Sequence, residues 1–186
     1  MKESANEILQ HCILNNKEEQ KNSVIHVAAM HSASDLFDIC NQRLSSFALT
    51  PKKRYFIYCN ILLPSSAPGW FKDRSMLWNN LEQITHNSLT QMAIAHEIKL
   101  SYPQGLTEQS MITLAEEFVT KNICGHNFIA DTYVHLSKPD NPHMHILIPL
   151  LPFWKNGFKL EPSTSLSSSK LKEYENTWKI LLNAQV

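Results

Sequence analysis

Three histidines, His135, His143 and His145, lie in DTYVHLSKPDNPHMHILIPLL, the run from Asp131 to Leu151, and set the chemistry this chain could perform. Residues two apart on a strand point to the same face, so His143 and His145 project together from HMHILIPL. His135 closes the other apolar run. Between them LSKPDNP carries two prolines with Asp140 and Asn141, residues that break pairing and turn the chain. If the two strands pair directly, all three imidazoles converge. Neutral imidazoles suit a divalent ion such as zinc, manganese, iron, cobalt or nickel, and three of them leave positions open for a substrate oxygen. An isolated His-x-His reads more simply as surface histidines; the third histidine across a turn favours a metal site. Asp131, Tyr133 and His135 share a face by the same period, which puts Tyr133 beside the cluster as a nucleophile or a hydrogen-bonding group to phosphate, although a sheet-facing tyrosine is more often structural.

The elements that must position this cluster follow from periodicity. Ser4 to Asn15 reads as an amphipathic helix and Val24 to Met30 as a strand. Asp35 to Phe47 reads as a helix, and RYFIYCNILL, Arg54 to Leu63, as a strand ended by Pro64. Asp73 caps a helix reaching His86, with Met76, Leu77, Leu81 and Ile84 inward. Met92 to Tyr102 alternates, placing Ile98 and Leu100 on one side and Glu97, Lys99 and Ser101 on the other. Thr107 opens a helix with the stripe Met111, Leu114, Ala115, Phe118 and Val119, stopped by Gly125. After the hairpin, 154–169 reads as a loop and 170–183 as a last helix, with 1–22 an N-terminal helix and linker. The expectation is one α+β domain over 1–186: a mainly antiparallel sheet with helices on one face.

Composition narrows the partners. The 186 residues are 43% hydrophobic and 18% charged, as in one globular domain with a sizeable core. No apolar run approaches the ~20 residues of a membrane span and MKESANEILQ lacks a signal-peptide core, so a soluble, cytoplasmic protein is expected. Cys12, Cys40, Cys59 and Cys124 are scattered through apolar stretches, as buried free thiols are. Lys+Arg and Asp+Glu both total 17, so net charge gives no electrostatic footprint for nucleic acid. A local cluster remains at Lys52, Lys53 and Arg54, with Lys72 and Arg74 further on, that could bind phosphates, although a solvated turn explains it equally well. Trp70 and Trp78 could stack on bases, although core packing is the plainer role.

HLSKPDNPHMHI resembles the histidine motif of the MobA/MobL plasmid-mobilisation relaxases. NILLPSSAPGWFKDRSMLWNNLEQ and AHEIKLSYPQGLTEQSMITLAEEFV occur in the family's order and at similar spacing, so the likeness runs from Tyr58 to Leu150. It implies a five-stranded palm with the histidines on its open face, and a metal-dependent nickase whose tyrosine attacks a phosphodiester of single-stranded DNA at a transfer origin. It also implies a manganese, magnesium or zinc cofactor, and accessory mobilisation proteins as further partners. Glu97 matches the family's acidic residue in a segment like Arg-Glu-Ile, as a ligand, a group orienting a histidine, or a solvent-facing residue. The family's nucleophile segment is best matched by DICNQRL, where Asp38 stands at the tyrosine position, and Tyr58-Cys59-Asn60 stand where the family often has His-Ala-Glu. A carboxylate nucleophile would give a labile acyl phosphate. Tyr133 and Tyr58 are therefore the candidate attacking phenols. Three functions stay open: a DNA relaxase; a relaxase-like DNA- or protein-binding module without a nucleophile; and a metal-dependent phosphodiester hydrolase in which water replaces tyrosine.

Overall fold

The alternation at Ile98 and Leu100 and the apolar runs around the histidines become neighbouring strands of one sheet. The structure, a computed structural model, describes residues 25–30, 56–86, 95–136, 142–154, 157–158 and 167–184. The expected helices at Ser4 to Asn15 and Asp35 to Phe47, the basic cluster Lys52, Lys53 and Arg54, and Asp38 lie outside the described residues.

Five strands, β1 (Ile25–Met30), β2 (Phe56–Leu62), β3 (Ala95–Ser101), β4 (Ala130–His135) and β5 (His143–Pro149), form a sheet of order β1-β3-β5-β4-β2. Every pairing is antiparallel. β5 is the central strand and β4 is buried along its whole length, because both faces of the sheet are covered over most of their area. That explains why these two segments read as nearly continuous apolar runs rather than as alternating ones.

One face carries Ile98, Leu100, Val134, Met144, Ile146 and Ile148 against α2 (Glu108–Asn122) and α3 (Ser168–Asn183). Thr107 caps α2 by accepting from the Ser110 N–H at 3.1 Å, and the stripe Met111, Leu114, Ala115, Phe118 and Val119 is buried as the spacing requires. Ser167 accepts from Lys170 N–H, which starts α3 at Ser168, two residues before the expected 170. Trp178 packs edge-on against Phe118 and Tyr102, with centroids 5.5 and 5.1 Å apart, and its indole N–H donates to Ser101 O at 2.9 Å. The apolar body and polar tip of this tryptophan are thereby both satisfied.

The other face is shared. α1 (Arg74–His86) follows a short 3₁₀ turn, Gly69–Lys72, and is capped by Asp73, whose Oδ1 accepts from Ser75 and Met76 N–H. α1 presses Leu77, Trp78 and Leu81 onto Ile61, Ala95 and Leu147. Helices therefore cover both faces, not one: α2 and α3 hide one side, and α1 hides part of the histidine side. The inward stripe of α1 is also rotated from the expected one. Met76 is exposed while Trp78 is fully buried, because packing one indole hides more apolar area than packing one thioether. Trp78 is thus a core residue, and Trp70 remains exposed.

Two smaller features depart from the sequence reading. α2 ends at Asn122 and tightens into a 3₁₀ turn, Cys124–His126, so the left-handed residue that closes it is Asn127 at φ 65°, not Gly125. The expected loop 154–169 contains part of a two-stranded ribbon, β6 (Phe153–Trp154) with β7 (Gly157–Phe158). Phe71 meets both Phe153 and Phe158 at 5.2 and 5.4 Å between centroids, which gives the ribbon an apolar seat. Cys124 is a buried free thiol whose pKa burial pushes up to about 12, and Cys59 is free and half-buried. Among the described residues no helix is long and apolar enough to cross a membrane.

Candidate metal centre

β4 and β5 pair so that His135 lies directly opposite His143, and Tyr133 opposite His145. One cross-strand pair plus its neighbour two residues along thus puts three imidazoles on one face at the end of the hairpin, with His135 and His143 buried and His145 partly exposed. Ring centroids are 5.3 Å apart for His135–His143, 4.8 Å for His135–His145 and 4.9 Å for His143–His145. One nitrogen from each ring lies within 4.8 Å of the others. Bound imidazole nitrogens, each about 2.0–2.1 Å from a common ion, would stand roughly 3–3.5 Å apart. Small ring rotations close that gap, so the donor set fits a divalent ion.

β3 supplies the group that orients one of these rings. Glu97 Oε1 lies 2.7 Å from His145 Nδ1, and both side chains are largely shielded from solvent. An ionised carboxylate can only accept, so Nδ1 carries the proton, which leaves Nε2 as the ligand atom of the neutral ring. Of the three roles open to Glu97, orienting a histidine is the one its contact supports. Glu97→Gln keeps the shape but weakens this bond, and is expected to lower metal affinity about 10–100-fold, read by calorimetric titration. An unchanged affinity would remove Glu97 from the centre.

The adjoining part of the same face is locked by an ion pair. Asp131, fully buried, accepts from Arg74 Nε at 3.0 and 3.1 Å, from Trp78 Nε1 at 3.2 Å and from the Tyr133 hydroxyl at 2.9 Å. Arg74 Nη2 is also 2.9 Å from Asp131 Oδ1. Burial pushes the Asp131 carboxyl above the ordinary carboxylate range, against the opposing pull of Arg74, Tyr133 and Trp78. Arg74, expected with Lys72 as an extension of the basic cluster, is instead an internal ion partner. The signal was present in an aspartate at the head of an apolar strand and an arginine in the first turn of a helix.

The candidate phenols fare differently. Tyr133 does share the face of His145, but it is fully buried and its hydroxyl is turned into the Arg74–Asp131 network. Tyr58 pairs with Val134 and so belongs to the opposite face, where its hydroxyl donates to Glu116 Oε1 on α2 at 2.8 Å. Burial first, and then Glu116, raises its pKa far above that of a free phenol. Tyr102 is buried in the core beneath α2 and α3, and Tyr174 is on the buried side of α3 itself.

Comparison with known proteins agrees with this layout. The chain is 31% identical over 117 residues to the conjugal transfer protein TraA of Agrobacterium fabrum, a match covering 58% of this chain and 10% of that one. It is 26% identical over 98 residues to a probable mobilization protein MobA of Bifidobacterium longum, covering 52% and 17%. The match thus spans about a tenth of the length of the TraA protein. A structure solved for the molecular basis of vancomycin resistance transfer in Staphylococcus aureus superposes with a TM-score of 0.63 at 28% identity, covering 70% of each chain. The conjugative relaxase TrwC, solved metal-bound with oriT DNA, shares the fold at a TM-score of 0.51 and 7% identity, over 87% of this chain and 67% of that one. The profile of the MobA/MobL family matches residues 22–183, which takes in every strand of the sheet and both segments that carry the histidines, and the chain belongs to that family.

Proposed function

We propose that this domain is a DNA relaxase that binds single-stranded DNA at a transfer origin and nicks one strand by transesterification. His135, His143 and His145 hold a divalent ion there. The observation that carries the reading is the convergence of three imidazoles on one sheet face, with Glu97 fixing the tautomer of His145. An all-nitrogen donor set favours zinc over magnesium, which prefers oxygen, with manganese between them. With the ion bound, the site gains a Lewis acid that polarises the scissile phosphate and offsets charge in the transition state. The histidines orient that phosphate, and the rigid β4–β5 pair keeps their spacing during reaction. The metal-bound, oriT-bound state of TrwC, a protein of the same fold, lends this reading support.

The tyrosines favour a second reading. Among the described residues, Tyr102, Tyr133 and Tyr174 are buried and Tyr58 faces the other way, so none presents an open hydroxyl to the centre. A domain without a nucleophile would hold origin DNA, or a protein partner, without cutting it. One assay separates the readings: labelled single strands of the cognate origin are incubated with manganese-loaded protein and resolved under denaturing conditions. A covalent adduct, absent from the His143→Ala, His145→Ala variant, is the result expected of a relaxase: a tyrosine oxygen bonds to the scissile phosphorus as the bond to the leaving 3′ oxygen breaks, and loss of the adduct in Tyr133→Phe or in Tyr58→Phe identifies which candidate phenol attacks. Cleavage without an adduct would point to hydrolysis by water. Binding with neither outcome, across several metals, would establish the binding module.

A further inference from the structure

We infer that Lys99 is the cation that grips the nucleic-acid phosphate at the three-histidine centre. The inference rests on the single-strand reading above and adds to it the residue that contacts the backbone. Lys99 lies in β3 directly opposite His145 of β5, and His145 in turn lies opposite Tyr133 of β4. Cross-strand neighbours of this kind have Cβ atoms about 4.5–5.5 Å apart. Two independent facts place Lys99 on the histidine face: Ile98 and Leu100 on either side of it are fully buried on the other face, and Glu97, two residues earlier, touches His145.

The distribution of charge singles it out further. Arg74 is committed to Asp131, while Lys121, Lys170 and Lys179 are paired with Glu117, Glu173 and Glu175 on helices that cover the opposite side; the other described cations, Lys72 on the 3₁₀ turn and Lys172 on α3, are exposed and lie off the sheet. Among the described residues Lys99 makes no ion pair, is half-buried, and is the cation contributed by the sheet strands themselves to this face. An ammonium beside three metal-ligating imidazoles does nothing for cation binding. It does suit an anion that bridges the ion and the lysine, with the stem lying on the sheet and the charged head reaching the ligand. This also gives a neutral chain, with 17 basic and 17 acidic residues, a local way to hold a polyanion.

The test uses the full chain loaded with manganese, a fluorescein-labelled oligothymidylate as probe, and the variants Lys99→Met and Lys99→Arg. Anisotropy titrations at several salt concentrations give affinity and its salt slope, and calorimetry gives manganese affinity. Lys99→Met is expected to bind the probe roughly tenfold more weakly, with the slope of log affinity against log salt shallower by about 1, while manganese affinity does not fall and Lys99→Arg restores both readouts. Wild-type binding with an unchanged slope in Lys99→Met would overturn the role of Lys99 alone. A loss of manganese affinity in Lys99→Met would also overturn it, since the lysine would then act through the centre's architecture. Failure of the wild-type protein itself to bind the single strand would overturn the single-strand reading, and this inference with it.

Discussion

Changing His143 and His145 together to alanine abolishes measurable divalent-metal binding, a loss of at least 100-fold, while the domain still unfolds cooperatively. The magnitude follows from the donor count: the variant keeps His135 alone, and one imidazole at the rim of a sheet competes poorly with water for a divalent ion. Retention of the fold follows from where the core lies. The side chains that hold β5 are Met144, Ile146 and Ile148 on one face and Leu147 on the other, and neither histidine belongs to those clusters. Calorimetric titration with zinc and manganese, beside a thermal melt, checks both halves. Undiminished affinity in the double variant would sink the ligand assignment and the function built on it.

Arg74→Ala is expected to cost about 3–5 kcal/mol of stability, measured by urea denaturation, which is a large fraction of what a domain of this size has. Asp131 is fully buried and Arg74 is its charged partner, so removing the guanidinium leaves a carboxyl with no counter-charge in the interior. Tyr133 and Trp78 donate to the same carboxyl but bring no charge. Adding Asp131→Asn to Arg74→Ala should recover part of the loss, because a neutral amide keeps hydrogen bonds to Tyr133 without the penalty of a lone buried charge. A cost below about 1 kcal/mol for Arg74→Ala would mean that water reaches the pair and that it is not what docks α1 on the sheet.

The histidine centre was legible because it depends on local rules. His143 and His145 are two apart in a strand and His135 precedes a proline-bearing turn, so pairing of the two runs brings all three together whatever the rest of the chain does. The stripe of α2 and its Thr107 cap were legible for the same reason, since both are set within a few turns of one helix. The face of Tyr58 was not. A register shift between Phe56 and Tyr58 resets the alternation of β2, and a shift of one residue moves every following side chain to the other side of the sheet.

By itself, then, the sequence determined the five sheet strands and three α-helices of the α+β fold within the described residues, the strand pair that carries the histidines, and the motifs between Tyr58 and Leu150 that carry the family resemblance, because each is encoded in local spacing. Tertiary structure alone decided that helices cover both faces, that Arg74 is an internal ion partner rather than an extension of the basic cluster, that Glu97 touches His145, and that Tyr133 is locked while Tyr58 faces away. Those outcomes depend on which strands become neighbours in the order β1-β3-β5-β4-β2, and residues 48 to 58 positions apart meet only after that order is made. Local periodicity carries no information about a contact whose two partners are chosen by the packing of whole elements.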